Sequence, residues 1–542
     1  MKSIIIFAIF FIFSCDYNME RDNKLDPDSK NYIPPVAIAD FASSVRDGSV
    51  RLNVDFTDLS QGDIVSWEWD FNNDGVIDST EQNPSYTYNS VGKYTVTLKV
   101  QESRGLVSDE EIKSEFINVT FGHPIKRVLL DDCNGAVAIH ASDIDSDGDM
   151  DVISAFYNRG EIIWLENDLS TAKKGSKGDI ISWTEHKIAQ SVLSVSSIFP
   201  VDIDGDGDID ILSSYDYTYT NGLAWWENRK GEDDNWKDNW TSHIIDEDFI
   251  IAVSVVASDI DSDGDMDVVS ASYGAWNYEE ECWENSEISW WENVDQNPGA
   301  GDGNAASWIK HIISPENIGA DFKGIANIHF SDLDKDGDMD ILSSERSTNS
   351  ITWYENKKGE LDIWKNSFVE HNVDDNFIHA RYVTTEDVDG DGDTDIIGAS
   401  RGDWNSETYK YEDSEICWWE NVDRNQGEGD GDASSWVKNI LHDDLNGAHP
   451  VITSDVDNDG DIDIIGASRS NDTVIWWENI NGIGTEWTEH ILNVHFHSAS
   501  SLFAVDIDND EDIDIIGSSY GNYNSYYNYS YLSQLAWWEI TY

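Results

Sequence analysis

Seven times between Asp143 and Asp514 the chain repeats a nine-residue phrase of the form D-x-D-x-D-G-D-x-D. The copies are 143–151 (Asp143, Asp145, Asp147, Asp149, Asp151), 202–210 (Asp202, Asp204, Asp206, Asp208, Asp210), 259–267 (Asp259, Asp261, Asp263, Asp265, Asp267) and 332–340 (Asp332, Asp334, Asp336, Asp338, Asp340). They continue at 387–395 (Asp387, Asp389, Asp391, Asp393, Asp395), 455–463 (Asp455, Asp457, Asp459, Asp461, Asp463) and 506–514 (Asp506, Asp508, Asp510, Asp512, Asp514). Alternating carboxylates on a tightly bent chain suit Ca²⁺, which takes about six to eight hard oxygens at about 2.3–2.6 Å. Side chains at positions 1, 3, 5 and 9 and the carbonyl of position 7 would supply them, and glycine at position 6 permits the left-handed bend. Carboxylates this crowded repel one another unless a cation lies among them. In the last copy Glu511 replaces the glycine, which predicts a strained loop and weaker ion binding. A further candidate, DFNNDGVIDSTE, puts Asp70, Asn72, Asp74, Gly75, Asp78 and Glu81 at positions 1, 3, 5, 6, 9 and 12 of an EF-hand-like loop. The alternative there is a long hairpin with an Asn-Asp-Gly turn.

Other groups that carry chemistry elsewhere do not converge here. GASRG (398–402) and GSSYG (517–521) match a nucleophile-elbow pattern, but both sit at a repeated strand end with no helix after them. His140, His329, His379, His449 and His497 stand at variable offsets from the acidic loops, which argues against a shared metal site.

The elements that must position the loops recur with them. Each unit has an apolar strand before the loop (A), an apolar strand after it (B), a W-x-E-N phrase (C) and a W-x-x-H-x-I relative (D). The C phrases are WLEN 164–167, WWEN 225–228, 290–293, 418–421 and 476–479, WYEN 353–356 and WWE 537–539. Loops begin 51 to 73 residues apart, which fits four-stranded units with insertions. The last unit ends without a D strand, whereas HPIKRVLL (123–130) is a D-like strand with no unit before it. Pairing the two removes both sheet edges and predicts a closed seven-bladed β-propeller. The Trp pairs, Trp225 and Trp226 among them, are then expected between blades, because adjacent strand residues point to opposite, buried faces.

The repeat resembles the FG-GAP/VCBS family, to which integrin α-subunit propellers belong, over about 122–542. That resemblance implies calcium loops that join strands A and B on one face and rigidify the blades. Upstream, short alternating runs separated by turns indicate an antiparallel sandwich. On "DLSQGDIVSWEWDF", "EQNPSYTY" and "VGKYTVTLKV" the stretch 35–121 resembles a PKD domain. The fold class expected is thus all-β, an Ig-like sandwich followed by the propeller.

Lys2 and the apolar run 4–13 form a signal-like segment too short to span a bilayer. Ile12-Phe13-Ser14-Cys15 resembles a bacterial lipobox, which implies cleavage after residue 14 and lipidation of Cys15. Residues 15–34 are polar and aperiodic and are similar to the tether of Bacteroidetes-type surface lipoproteins. Localisation at the bacterial outer membrane, exposed at the surface, is the resulting expectation. Cys133, Cys282 and Cys417, an odd number, make no disulfide framework.

The chain carries 107 acidic and 33 basic side chains, a formal charge of −74. Seven divalent ions would raise −74 only to −60, so nucleic acid and anionic membrane surfaces are excluded as major partners. Membrane contact is expected only through the lipid, and a monomer is expected. The connections 273–287, 401–415 and 520–534 are long and aromatic, and lie at the end opposite the acidic loops. Trp276, Tyr278, Trp404, Tyr409, Tyr411, Tyr523, Tyr526 and Tyr527 combine contact area with hydrogen-bonding capacity, which suits recognition of a glycan or a protein. Loops that pack on themselves are the alternative. The leading expectation is a calcium-stabilised, non-catalytic extracellular binding or adhesion lipoprotein. Its rivals are a polysaccharide lyase or hydrolase and a purely structural surface component.

Overall fold

The computed structural model describes residues 36–540 except 50–51, 89–91, 106, 121–123, 132, 169–181, 193, 216–221, 232–233, 278–281, 285, 295–306, 315–323, 359–364, 366–367, 423–435, 525–528 and 532. Cys15, the signal-like segment and the tether lie outside the described residues, as do Tyr278, Tyr526 and Tyr527. Among the described residues every regular element is a strand, save one 3-10 turn at Trp236–Asp238. Two compact units divide the chain, Met1–Gly122 with Tyr542, and His123–Thr541.

The first unit is a sandwich. Phe41–Ser43, Leu52–Asp58 and Ser85–Tyr88 form one sheet, and Asp47–Ser49, Ser108–Thr120, Gly92–Glu102 and Ile64–Asp70 form the other. Alternation along Leu52–Asp58 turns Val54 and Phe56 inward, where they meet Phe41, Trp69 and Phe71. Trp69 is fully buried and donates Nε1–H to the Glu81 carbonyl at 2.8 Å, so the core residue also fixes the end of the acidic hairpin.

The second unit holds seven four-stranded antiparallel sheets. Sheet 1 runs A to D as Ala136–Ser142, Asp151–Phe156, Glu161–Asn167 and Trp183–Gln190. The A strands of sheets 2 to 7 are Val195–Val201, Ala252–Ser258, Ile325–Ser331, Ala380–Glu386, Ala448–Ser454 and Ala499–Val505. These A strands touch in chain order, and the last touches the first. In sheet 7, strand C (Gln534–Glu539) pairs antiparallel with Ile125–Asp131, from Ile125 opposite Glu539 to Asp131 opposite Gln534. The residues before sheet 1 therefore complete the last sheet and cover its edge.

Strand B is apolar on both faces because each face meets another sheet. Asp151–Phe156 is buried at every position, whereas the outer strand Trp183–Gln190 mixes exposed and buried positions. One apolar cluster joins Ile153 and Trp164 of sheet 1 to Val195, Ile198 and Ile211 of sheet 2, and another joins Val152 and Leu165 to Ile516 and Trp537 of sheet 7. The Trp pairs are not equivalent throughout. Trp225 is fully buried, whereas Trp226 is half-buried against the cluster between sheets 1 and 2 and donates Nε1–H to Ser213 Oγ at 3.0 Å.

Candidate functional site

Each acidic phrase is a tight turn that ends on the first residue of strand B. In sheet 1, Asp143 accepts from the backbone N–H groups of Asp147 (3.0 Å) and Gly148 (3.1 Å), and Asp147 accepts from that of Asp149 (3.0 Å). Gly148 and its five glycine counterparts have φ between 92° and 102°, the left-handed region glycine enters without penalty. Glu511 is forced to the same region at φ 74°, donating its N–H to Asp506 at 3.0 Å. The fourth loop position is left-handed too, at Ser146, Gly205, Ser262, Lys335, Gly390, Asn458 and Asn509.

Position 9 does more than close the turn. Asp151 is buried and accepts from the N–H of Ile144 (3.0 Å) and of Asn167 at the end of strand C (2.8 Å). Asp210, Asp267, Asp340, Asp395, Asp463 and Asp514 repeat both bonds, the second in sheet 7 from Ile540. Burial holds these carboxyls up, to about 8 at Asp151 and about 9 at Asp210, and it lifts Asp204 at position 3 to about 6.

The carboxylates converge. Asp143, Asp145 and Asp151 offer oxygens within 4.8 Å of one another, as do Asp202, Asp204 and Asp206, Asp259, Asp261 and Asp263, Asp332, Asp334 and Asp336, and Asp387, Asp389 and Asp395. One oxygen each of Asp145, Asp204, Asp261 and Asp508 at position 3, and of Asp332 and Asp387 at position 1, is buried with no hydrogen-bond partner. A buried carboxylate oxygen left so costs several kcal/mol by about the scale of an isolated charge, and a hard divalent cation removes that cost. These clusters can hold metal ions. At position 7 of sheets 2, 4 and 5, Asp208, Asp338 and Asp393 face Lys230 (3.6 Å), Lys358 (3.5 Å) and Lys335 (2.6 Å), and in sheet 1 Asp149 accepts from Asn509 (2.9 Å).

The hairpin 70–81 repeats this hydrogen-bond plan in the other unit. Asp70 accepts from Gly75 N–H (2.9 Å), Asp74 from Val76 N–H (2.7 Å) and Asp78 from Phe71 N–H (2.7 Å), while Asp70 Oδ1 is buried without a partner. Asn72 Oδ1 accepts from Asp74 N–H at 3.2 Å. Glu81 is exposed, and its carbonyl rather than its carboxylate is tied down.

Two further residue sets bind the loops to one another, and sequence reading passed over both. The Asn of W-x-E-N reaches across sheets: Asn228 Nδ2 donates to the carbonyls of Ile209 in its own loop and Ile144 in the previous one, both at 3.2 Å. Asn167 does the same to Met150 and Ile507, each at 2.9 Å, which links sheet 1 to sheet 7. The Glu of the phrase pairs with the D-strand His, as in Glu166 and His186 (2.8 Å), and that imidazole stacks on Trp164 at 4.6 Å. In sheet 7 Arg127 takes the role of the His, bonding Glu539 and lying 5.2 Å from the Trp537 ring. The signal was available in the recurrence of E-N in six of the seven C phrases and of the D-strand His in five copies.

At the opposite end lie the B–C and D–A connections. Each long aromatic connection folds as a two-stranded hairpin: Ala275–Asn277 with Cys282–Glu284, Asp403–Asn405 with Lys410–Glu412, and Asn522–Asn524 with Tyr529–Tyr531. Trp276 and Tyr523 sit on these strands opposite Trp283 and Ser530. Trp404 is 50% exposed and Tyr409 77% exposed, whereas Tyr411 is half-buried and meets Trp404 edge-on at 4.9 Å. The three line a cavity of about 510 Å³ with Arg401, Asn446, Arg469, Ser470, Asp472, His497 and Ser498. The structure thus brings Trp404, Tyr409 and Tyr411 together, and adds Arg401, from the GASRG stretch, and Arg469. His140 lies near Phe199 and Phe503, His329 bonds Thr385, and His497 bonds Asp472. Cys133 and Cys417 are buried and unpaired with one another.

An all-β chain with a sandwich followed by repeated acidic-loop sheets defines the class to which the comparisons then speak. Residues 32–116 match the PKD domain family, and residues 143–213, 202–270, 332–398 and 455–517 match FG-GAP-like repeats, each span holding two consecutive acidic loops. A stretch of 71 residues is 38% identical to "Collagenase ColA" of Bacillus cereus, covering 13% of this chain and 7% of that protein. The chain thus spans a small fraction of the length of that curated relative. The PKD1 domain from Vibrio cholerae metalloprotease PrtV is 33% identical over 15% of this chain and 96% of that one, with a TM-score of 0.13. An auxiliary nutrient binding protein from Bacteroides ovatus is 10% identical, covering 93% of this chain and 98% of that one, with a TM-score of 0.39.

Proposed function

We propose that the chain is a calcium-stabilised extracellular binding lipoprotein whose seven sheets form a seven-bladed β-propeller. In this reading residues 1–14 are the signal peptide, 15–34 a tether lipidated at Cys15, 35–121 a PKD spacer and 122–542 the propeller, displayed on a bacterial outer membrane. The cyclic contacts of the A strands and the pairing of Ile125–Asp131 with the last C strand support the ring. Orphaned buried oxygens at positions 1 and 3 of the acidic loops support calcium, with an eighth ion in the 70–81 hairpin.

The observation that carries recognition is the cavity of about 510 Å³ at the end away from the loops, where exposed aromatic faces stand beside hydrogen-bonding groups. Such a lining suits a glycan better than an apolar small molecule. A glycan array probed with and without EDTA tests this. Binding to a saccharide set, weakened by chelation, is expected; binding to none would remove the glycan reading. The catalytic rival has one observation in its favour. His449 is buried beside Tyr382, with Nδ1 unpartnered, and burial and three nearby arginines keep its imidazole neutral, as a general base requires. Product release from a polysaccharide panel would move the assignment to a lyase or hydrolase.

A further inference from the structure

Among the described residues, the one that follows strand B occupies the same place in six sheets. In sheets 4, 5 and 6 these strands are Asp340–Glu345, Asp395–Ser400 and Asp463–Ser468, and the residues that follow are Arg346, Arg401 and Arg469. In sheets 1, 3 and 7 the place is held by Tyr157, Tyr273 and Tyr520. One backbone bond sets the position each time, to the connection that precedes strand A: Arg346 N–H to Gly324 O (3.0 Å), Arg401 to His379 O (3.1 Å), Arg469 to Gly447 O (2.9 Å) and Tyr520 to Ser498 O (3.0 Å). Arg381, the second residue of strand A in sheet 5, joins the group from the side, with His449 at the matching place in sheet 6.

Three neighbouring sheets thus gather four guanidinium groups in a chain whose acids outnumber its bases 107 to 33. Among the described residues none of the four is ion-paired with a carboxylate. Arg346 donates to the Tyr273 hydroxyl at 3.2 Å, and Arg401 bonds the Tyr411 hydroxyl while lying 4.3 Å from its ring. The Nε–H groups of Arg381 and Arg401 are buried with no acceptor. Burial and then mutual repulsion loosen their protons, down to about 10 at Arg381 and about 9 at Arg401. Cations gathered out of water without counter-charge cost stability, and an anion that accepts from the forks reverses that cost.

The same place is built for more than an anion. Arg469 and Ser498 line both the cavity of about 510 Å³ and an adjoining one of about 390 Å³ that holds His449, Tyr157 and Tyr520. Trp404 and Tyr409 expose ring faces at the rim, and Asp472, held by His497 at 2.5 Å, is an acceptor for hydroxyls. Stacking faces, hydroxyl acceptors and unpaired guanidiniums together match a pyranose that bears an anionic substituent, and a peptide offers few hydroxyls. We propose that this end of the seven sheets binds an acidic saccharide, with Arg401 and Arg469 taking its carboxylate or sulfate group, Arg381 adding positive charge beside them, and Trp404 and Tyr409 stacking on the sugar ring. The proposal rests on the recognition reading above and narrows its ligand class.

The test is calorimetric titration of the full chain in calcium with oligogalacturonate, a sulfated galactan oligosaccharide, maltohexaose and an acidic peptide. At least one acidic saccharide should bind about tenfold or more tighter than maltohexaose, and added salt should weaken it. The preferred one of the two identifies carboxylate or sulfate as the group read. Arg401→Gln and Arg469→Gln should each weaken acidic binding by about tenfold or more and weaken maltohexaose binding by a smaller factor, so that the preference for the acidic saccharide falls. Arg401→Lys, which keeps the charge and loses the fork, should fall between, and it serves where a Gln variant lowers the melting temperature. Equal affinity for neutral and acidic saccharides, acidic binding untouched in all three variants, or tighter binding of the peptide would overturn the proposal and leave ligand recognition standing. Binding of no saccharide would overturn both.

Discussion

At one end of the second unit the chain solves the same problem seven times; at the other it does something different in each sheet. The acidic end repeats not only its carboxylates but also the left-handed positions 4 and 6, the buried position 9 and the Asn that ties each loop to its neighbour. At the other end a shared backbone position carries Tyr in three sheets and Arg in three, and among the described residues hairpins decorate sheets 3, 5 and 7. Repetition is what a ring of like sheets demands of its own packing. A single ligand on such a framework needs the symmetry broken, because seven equal places offer no unique orientation. The two ends also divide the charge. Anions crowd where a cation is required, and unpaired cations collect at the end where the cavities are.

The largest effect that would break this contrast is metal removal. If each loop holds one calcium ion in the native state alone, a hundredfold excess over Kd adds about 2.7 kcal/mol per site. EDTA should therefore lower the melting temperature by many degrees, and calcium should restore it. Within a loop, Asp204→Ala should cost more than Asp208→Ala, because Asp204 leaves a buried oxygen without a partner whereas Asp208 faces Lys230 at 3.6 Å. An unchanged melting curve in EDTA would mean that the acidic end is held by hydrogen bonds alone.

Next in size is a pair of tryptophans. Trp225, fully buried and stacked on His243 at 4.3 Å, should cost about 3–5 kcal/mol on truncation to Ala through the cavity left between sheets. Trp404→Ala should leave the melting temperature within about a degree and weaken ligand binding, as expected of a half-exposed truncation. Similar unfolding by both variants would erase the distinction between repeated and unrepeated aromatics.

What the sequence discloses follows the same division. The loops, the W-x-E-N phrase and the hand-over of 123–130 are legible because a period exposes them: each residue is compared with six copies of itself. Position 9 is legible as acidic but not as a link to strand C, since Asn167 lies sixteen residues beyond Asp151 and the bond uses its backbone. The Trp226 position looks like its counterparts and is not, because exposure depends on what the neighbouring sheet presents. Arg346, Arg401 and Arg469 are far apart in the chain and converge only when three sheets stand side by side. GASRG displays one of them, yet the motif draws the eye to serine. The signal was charge: bases at equivalent repeat positions in a strongly acidic chain.

The A strands that join the two ends offer a smaller, pH-dependent test. Burial holds His140 and His329 down at about 4, against about 6.5 for a free imidazole. Below pH 6.5 the unfolded chain takes up protons that the folded chain refuses, so their contribution is complete above that pH and is lost as pH falls toward 4. His140, close to the Phe199 and Phe503 rings, is suited to replacement by Phe. In saturating calcium the melting temperature of His140→Phe relative to wild type should rise as pH drops from 7 to 4.5, while acid effects on the loops cancel between the two proteins. A constant difference would place this imidazole in contact with water.

The smallest expected effect probes the one loop without glycine at position 6. Glu511 holds φ 74° where six loops have glycine, and a non-glycine residue there costs about 1–2 kcal/mol. Its carbonyl accepts from Asn458 at 2.9 Å, so the distorted turn is also the neighbour's anchor. Glu511→Gly relieves the side-chain clash, removes one negative charge from a crowded loop and keeps that backbone bond. The variant should bind the seventh ion more tightly and raise the melting temperature in limiting calcium by a few degrees, with no change in EDTA beyond the roughly 1 kcal/mol of relieved strain. Calorimetric titration that counts ions and melting curves at graded calcium separate the two contributions. A gain of equal size with and without calcium would show that position 6 serves the turn alone, and that the repeated glycine reflects backbone geometry rather than the ion.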